Sequence, residues 1–139
     1  MSSPLLNILL VEDDEVDVMN VRRAFETHHI TNPLFVAGNG LDALEQLRNG
    51  AMPKDRRIVL LDLNLPRMNG IEFLRELRQD PELCSTPVVV LTTSNDDRDK
   101  IQAYKLNVAG YLVKPVTFAN FCDAMVTLNK YWMLVELPS

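Results

Sequence analysis

Five short strand-like stretches rich in apolar residues punctuate this chain, at residues 6–11, 34–37, 58–63, 88–91 and 110–113, and a helix-like stretch separates each from the next. Runs this uniformly apolar suit strands buried on both faces, which occur in parallel sheets covered by helices. Strict alternation of the two patterns implies right-handed crossovers and a doubly wound α/β sheet. The intervening apolar residues recur at helical spacing. Val18, Val21, Ala24 and Phe25 mark a helix over about 15–29, and Leu41, Ala43, Leu44 and Leu47 mark a second. Ile71, Phe73, Leu74 and Leu77 mark a third over about 70–80, and Ile101, Ala103, Tyr104 and Leu106 a weaker fourth over about 97–106. Thr117 is a suitable N-cap for a fifth, striped by Phe118, Phe121, Met125, Leu128 and Trp132. Thr31-Asn32-Pro33, Gly38-Asn39-Gly40, Asn49-Gly50 and Pro81 supply the breaks.

The residues that follow the runs carry the chemistry. The first is succeeded by Glu12-Asp13-Asp14, and Ile58-Val59-Leu60-Leu61 delivers Asp62 to a loop punctuated by Pro66 and Gly70. Val88-Val89-Val90-Leu91 leads to Thr92-Thr93-Ser94, and Gly110-Tyr111-Leu112-Val113 to Lys114-Pro115. In open α/β sheets ligands bind outside the carboxyl ends of the strands. Acids, hydroxyls and a lysine gathered at that edge suit a metal-bound phosphoryl group.

Composition narrows the class. With 139 residues, 47% of them hydrophobic, the chain is long enough to bury the core of one domain. A net charge of −5 argues against a nucleic-acid partner, which calls for a basic footprint. No apolar run approaches the ~20 residues of a membrane span. Met1-Ser2-Ser3-Pro4 lacks the basic region of a signal peptide, so a cytoplasmic location is expected. Cys84 and Cys122 show neither metal-ligand spacing nor a disulfide pattern and read as inert thiols. His28 and His29 sit at the expected end of the first helix, where positive charge is favourable.

Acidic pair, strand-end Asp, strand-end Thr and Lys-Pro, in this order and on these strands, closely resemble a response-regulator receiver domain. The resemblance covers essentially the whole chain and implies a flavodoxin/CheY-like sheet of order 2-1-3-4-5 with five helices. Within the family the chain resembles the small regulators paired with cyanobacterial and bacterial phytochromes. That narrower match rests on Leu10-Val11-Glu12-Asp13-Asp14 with Asp17, on Leu91-Thr92-Thr93-Ser94, and on the ending Tyr131-Trp132-Met133-Leu134-Val135-Glu136-Leu137-Pro138.

The resemblance implies roles residue by residue. Asp62 would accept a phosphoryl group from a sensor histidine kinase, of phytochrome type, and Lys114 would pair with Asp62 at rest and with a phosphoryl oxygen afterwards. Asp13, Asp62 and the backbone carbonyl of Asn64 would hold Mg²⁺, with Glu12 acting through a bound water; Asp14 is expected to point elsewhere. Thr92 would donate its hydroxyl to the phosphoryl group, and Tyr111 would turn inward with it as the switch. Such a protein is a signalling module that takes part in its own phosphotransfer and dephosphorylation rather than an enzyme, and it acts on a downstream protein partner.

Residues 1–130 account for the receiver domain. Residues 131–139 form a strongly apolar extension, and exposed apolar patches usually mark a contact surface. Trp132, Leu134, Val135 and Leu137 are therefore expected to pack across a two-fold axis in a homodimer, as the resemblance to the arm-exchanged dimers of phytochrome-type regulators implies, the alternative being a tail folded back on its own domain. Two other functions compete. A haloacid-dehalogenase-type phosphatase also uses a strand-end aspartyl phosphate, but it wants a second Asp where this chain has Asn64. A phosphorylation-independent adaptor would have no use for the intact acidic, Thr and Lys positions.

Overall fold

The computed structural model describes residues 6–93 and 96–113, together with 123 and 127. Elements alternate along the chain as β1 (Asn7–Val11), α1 (Glu15–Thr27), β2 (Leu34–Ala37), α2 (Gly40–Arg48), β3 (Arg57–Leu61), α3 (Gly70–Gln79), β4 (Val88–Thr92), α4 (Asp97–Lys105) and β5 (Gly110–Val113). All four neighbouring strand pairs are parallel, and the order across the sheet is β2-β1-β3-β4-β5. The expected order is therefore observed. The expected fifth helix, Lys114 and the apolar extension with Trp132, Leu134, Val135 and Leu137 lie outside the described residues, apart from Asp123 and Thr127.

Successive side chains of a strand point to opposite faces, and the aliphatic runs divide accordingly. Leu9, Val11, Val59, Leu61, Val88 and Val90 join Ala43, Leu44, Leu47, Phe73, Leu74, Leu77 and Ala103 in one buried cluster. Ile8, Leu10, Ile58, Leu60, Val89 and Leu91 join Val21, Ala24 and Phe25 in a second. Helices α2, α3 and α4 thus cover one face, and α1 packs on the other. Burying the central strands on both sides is what makes their carboxyl ends rigid points of attachment.

Each of the four described helices starts on a side-chain cap that satisfies at least one of the amide groups left open at its first turn. Asp14 accepts from Val16 and Asp17 at the start of α1, and Asn39 accepts from Asp42 in α2. Asn69 accepts from Glu72 in α3, and Asp96 from Arg98 in α4. At the far ends, the Arg78 guanidinium donates to four carbonyls: Cys84 (2.9 Å), Thr86 (2.7 Å), Leu106 (2.7 Å) and Asn107 (3.1 Å). It ties the end of α3 to the closing turn of α4.

Several boundaries and faces differ from the sequence reading. β3 stops at Leu61 instead of Leu63, because the Asp62 carboxylate accepts the Asn64 amide (3.0 Å) and turns the chain out of the sheet. α1 ends at Thr27; His28 is its C-cap and His29 takes a left-handed φ of 56°, so neither histidine lies in the last helical turn. Leu41 on α2 is exposed, its place on the inner face being taken by Gly40. On α4 only Ala103 is buried, and Ile101 and Tyr104 are 55% and 53% exposed.

Candidate functional site

The chain crosses from β2 over β1 to β3, so β1 and β3 are neighbours with connections leaving in opposite directions. This is the point at which open α/β sheets form their ligand crevice. Register fixes what meets there. Val11 pairs with Leu61, which sets Glu12 and Asp62 side by side as the chains leave the sheet. The amide of Asp62 donates to Val11 O (3.1 Å), and that of Glu12 to Ala37 O (2.9 Å). On the other side, Leu61 pairs with Val90, which places Thr92 just beyond Asp62.

Glu12, Asp13 and Asp62 each bring a carboxylate oxygen to within 4.8 Å of the others. Glu12 and Asp62 are 4% and 8% exposed, whereas Asp13 faces solvent. Carboxylates this close repel one another, more strongly where water is excluded. Their arrangement fits a hard divalent cation, which prefers oxygen ligands and neutralises the cluster. Asp14, as the sequence suggested, is turned away and occupied at the start of α1.

Among the described residues, Asp62 Oδ1 accepts hydrogen bonds from the Asn64 amide (3.0 Å) and from the Thr92 hydroxyl (2.9 Å). Thr92 is fully buried. Its direct bond to Asp62 was not foreseen, since the resemblance assigned that hydroxyl to a phosphoryl oxygen. The pairing of strand ends was the available signal, because two residues on adjacent parallel strands must meet. A second contact escaped the sequence altogether: Asn64 Nδ2 donates to Thr93 Oγ1 at 3.1 Å. Behind the loop, the Gly70 amide donates to Leu63 O (3.0 Å), and α3 begins directly against the backbone of residues 62–63. Tyr111 on β5 is half-buried against the core, and Lys100 Nζ lies 6.0 Å from its ring centroid.

Residues 8–126 match the family model of the response regulator receiver domain. The chain belongs to that family. Among curated receiver proteins it is 37% identical to response regulator Rcp1 of Synechocystis sp., over 99% of this chain and 97% of that protein. Two solved structures show the same likeness. The phosphorylated cyanobacterial phytochrome response regulator RcpA superposes with a TM-score of 0.79 at 32% identity, covering 97% of this chain and 99% of that one. The Mn²⁺-bound form of Rcp1 gives 0.76 at 37% identity, covering 96% and 99%. This receiver is thus related to phytochrome response regulators. Among its described residues, no helix is long and apolar enough to cross a membrane.

Proposed function

We propose that this receiver accepts a phosphoryl group on Asp62 from a sensor histidine kinase of phytochrome type and thereby changes how it binds a downstream protein. The observation that carries the reading is the meeting of three carboxylates within 4.8 Å, one of them bonded to the Thr92 hydroxyl at 2.9 Å, at the switch point of the sheet. Asp13, Asp62 and the Asn64 carbonyl would hold Mg²⁺, with Glu12 acting through water. The ion supplies the positive charge that lets an anionic phosphoryl group approach a carboxylate. A carboxylate oxygen of Asp62 attacks phosphorus, the P–N bond of the phosphohistidine breaks, and its electron pair stays on the imidazole. Lys114 then neutralises one phosphoryl oxygen and Thr92 donates to another. Movement of Thr92 frees space into which Tyr111 turns, shifting the population between two surfaces.

The kinship with phytochrome regulators supports the kinase class and a cytoplasmic setting. The apolar sequence 131–139 supports a homodimer built on Trp132, Leu134, Val135 and Leu137, so removing residues 132–139 should halve the mass measured by light scattering. The deciding experiment is labelling with acetyl phosphate and Mg²⁺. The unaltered chain should gain one acid-stable, base-labile phosphoryl group, and Asp62→Asn should gain none. Undiminished labelling of that variant would place the nucleophile elsewhere.

A further inference from the structure

The hydrogen bonds from the Asn64 amide and the Thr92 hydroxyl to Asp62 Oδ1 form one closed circuit with the Asn64–Thr93 contact. It runs from Asp62 Oδ1 to the Asn64 amide (3.0 Å), from Asn64 Nδ2 to Thr93 Oγ1 (3.1 Å), through the peptide bond to Thr92, and from the Thr92 hydroxyl back to Oδ1 (2.9 Å). Its inner members, Asp62 and Thr92, are buried, while its outer members, Asn64 and Thr93, are exposed. The outer bond therefore lies on the solvent side of the carboxylate and ties the loop after β3 to the loop after β4.

We infer that Asn64 and Thr93 are positioning residues whose side-chain bond straps Thr92 against Asp62 and must yield before phosphate is accepted. The inference rests on Asp62 being the phosphoacceptor. A hydroxyl bonded to the nucleophilic carboxylate lowers its electron density and occupies space that an incoming phosphoryl oxygen needs. Thr92 is anchored in β4 by its pairing with Val113, so its hydroxyl departs mainly through rotation or a shift of the residue that follows. That next residue is Thr93, which the Asn64 amide holds. The strap thus opposes the shift by which the Thr92 hydroxyl gives up Asp62 Oδ1 for an incoming phosphoryl oxygen, and its strength sets part of the rate.

The test uses the full chain, acetyl phosphate and Mg²⁺, and follows the labelling rate against donor concentration. Thr93→Val keeps the side-chain shape and deletes the hydroxyl, so it removes the bond whichever way the Asn64 amide lies. An exposed neutral hydrogen bond of ordinary strength corresponds to about a twofold to tenfold faster maximal rate. The half-saturating donor concentration should stay the same. Thr93→Ser should behave as the unaltered chain. Asn64→Ala should also accelerate labelling, and the Asn64→Ala/Thr93→Val pair should be no faster than either alone, the signature of one shared interaction.

Thr93→Val at the unaltered rate with Thr93→Ala faster would make bulk the cause and overturn the inference. Additive single effects, or no effect from either, would overturn it as well. Label on Asp62 with identical rates in all variants sinks the strap alone. Absence of label from the unaltered chain sinks the phosphoacceptor reading and the strap with it.

Discussion

Replacing Gly70 with alanine should damage the site from behind, through the backbone rather than through any chemical group. A Cβ built at Gly70 would lie 2.6 Å from Leu63 Cα, 2.7 Å from Leu63 Cδ2 and 2.8 Å from Asp62 O. Ordinary carbon contacts lie at about 3.5–4.0 Å, so α3 and the loop carrying Asp62 would have to part by about 1 Å. Two of those three atoms are backbone and cannot rotate away. Overpacking of this kind costs about 1–3 kcal/mol, and the better helix propensity of alanine, at most about 1 kcal/mol, offsets only part of it. A net loss near 1–2 kcal/mol would lower the urea midpoint by about 0.5–1 M. A displacement of that size at Asp62, the proposed phosphoacceptor, should also slow acetyl phosphate labelling by about tenfold or more. Two other glycines calibrate the experiment. A Cβ at Gly38 meets nothing within 4 Å, so Gly38→Ala should leave the midpoint unchanged or slightly raised. At Gly40 it would meet Met68 Cγ at 2.9 Å and Met68 O at 3.0 Å, an intermediate case with one flexible neighbour. If Gly70→Ala proved as stable and as quickly labelled as Gly38→Ala, the argument from close approach would fail.

Arg67 has a φ of 64° inside a three-residue turn closed by Met68 N to Pro66 O (2.8 Å), a conformation that costs an L-residue about 1–2 kcal/mol. Arg67→Gly should therefore raise stability by about 0.5–1 kcal/mol in urea denaturation, after the greater unfolded-state freedom of glycine is counted. Mg²⁺ at ten times its dissociation constant should stabilise the folded chain by about 1.4 kcal/mol, seen as a rise in melting temperature, and Asp13→Asn should remove most of that rise. The Glu82 amide and then the Arg48 guanidinium hold the Asp80 carboxyl below its ordinary value. A depressed carboxylate stabilises the fold above its unfolded pKa, near about 4, and the gain disappears as pH falls through the lower folded value. Asp80→Asn should accordingly differ from the unaltered chain in urea midpoint at neutral pH, and the difference should shrink across the acid range.

What could be read from the chain tracks what local chemistry determines. β2 and β5 begin and end where the aliphatic runs do, because Asn32-Pro33 and the residues around Gly110 break the pattern sharply. Glu12, Asp13 and Asp62 were legible because Glu12 and Asp62 directly follow buried runs and Asp13 comes next after Glu12, and adjacent parallel strands bring such ends together without further information. The faces of α4 were misread. Ile101 and Tyr104 have core-like side chains, yet only Ala103 is turned toward the sheet, and composition alone does not fix that rotation. The end of β3 was misread for a different reason. Leu63 is apolar and buried, so it resembles a strand residue, and only the bond from the Asn64 amide to Asp62 shows that the chain has already turned. The Asn64–Thr93 contact joins residues 29 apart through ordinary polar side chains, and nothing in either neighbourhood announces it.

The same partition explains why one small sheet can both hold a charged cluster and respond to it. The acids project from β1 and β3, whose aliphatic residues from Ile8 to Val11 and Ile58 to Leu61 are almost wholly buried, so mutual repulsion among the carboxylates cannot simply spread them apart. A divalent cation bound there, as proposed, would relieve that repulsion. On the other side of the site, fewer of the described residues are buried. β5 is half-buried along its whole length, and α4 contributes a single buried side chain. Elements with few buried contacts open at the lower end of a fold's range of local stabilities. Arg78 pins the last turn of α4 to α3, whereas its first turn follows the segment that begins at Thr92 and Thr93. In the proposed switch, a shift beginning at Thr92 would be passed toward the first turn of α4, near the exposed Ile101 and Tyr104. In the proposed switch, this difference in burial among the described residues would favour a rigid acceptor and a compliant output.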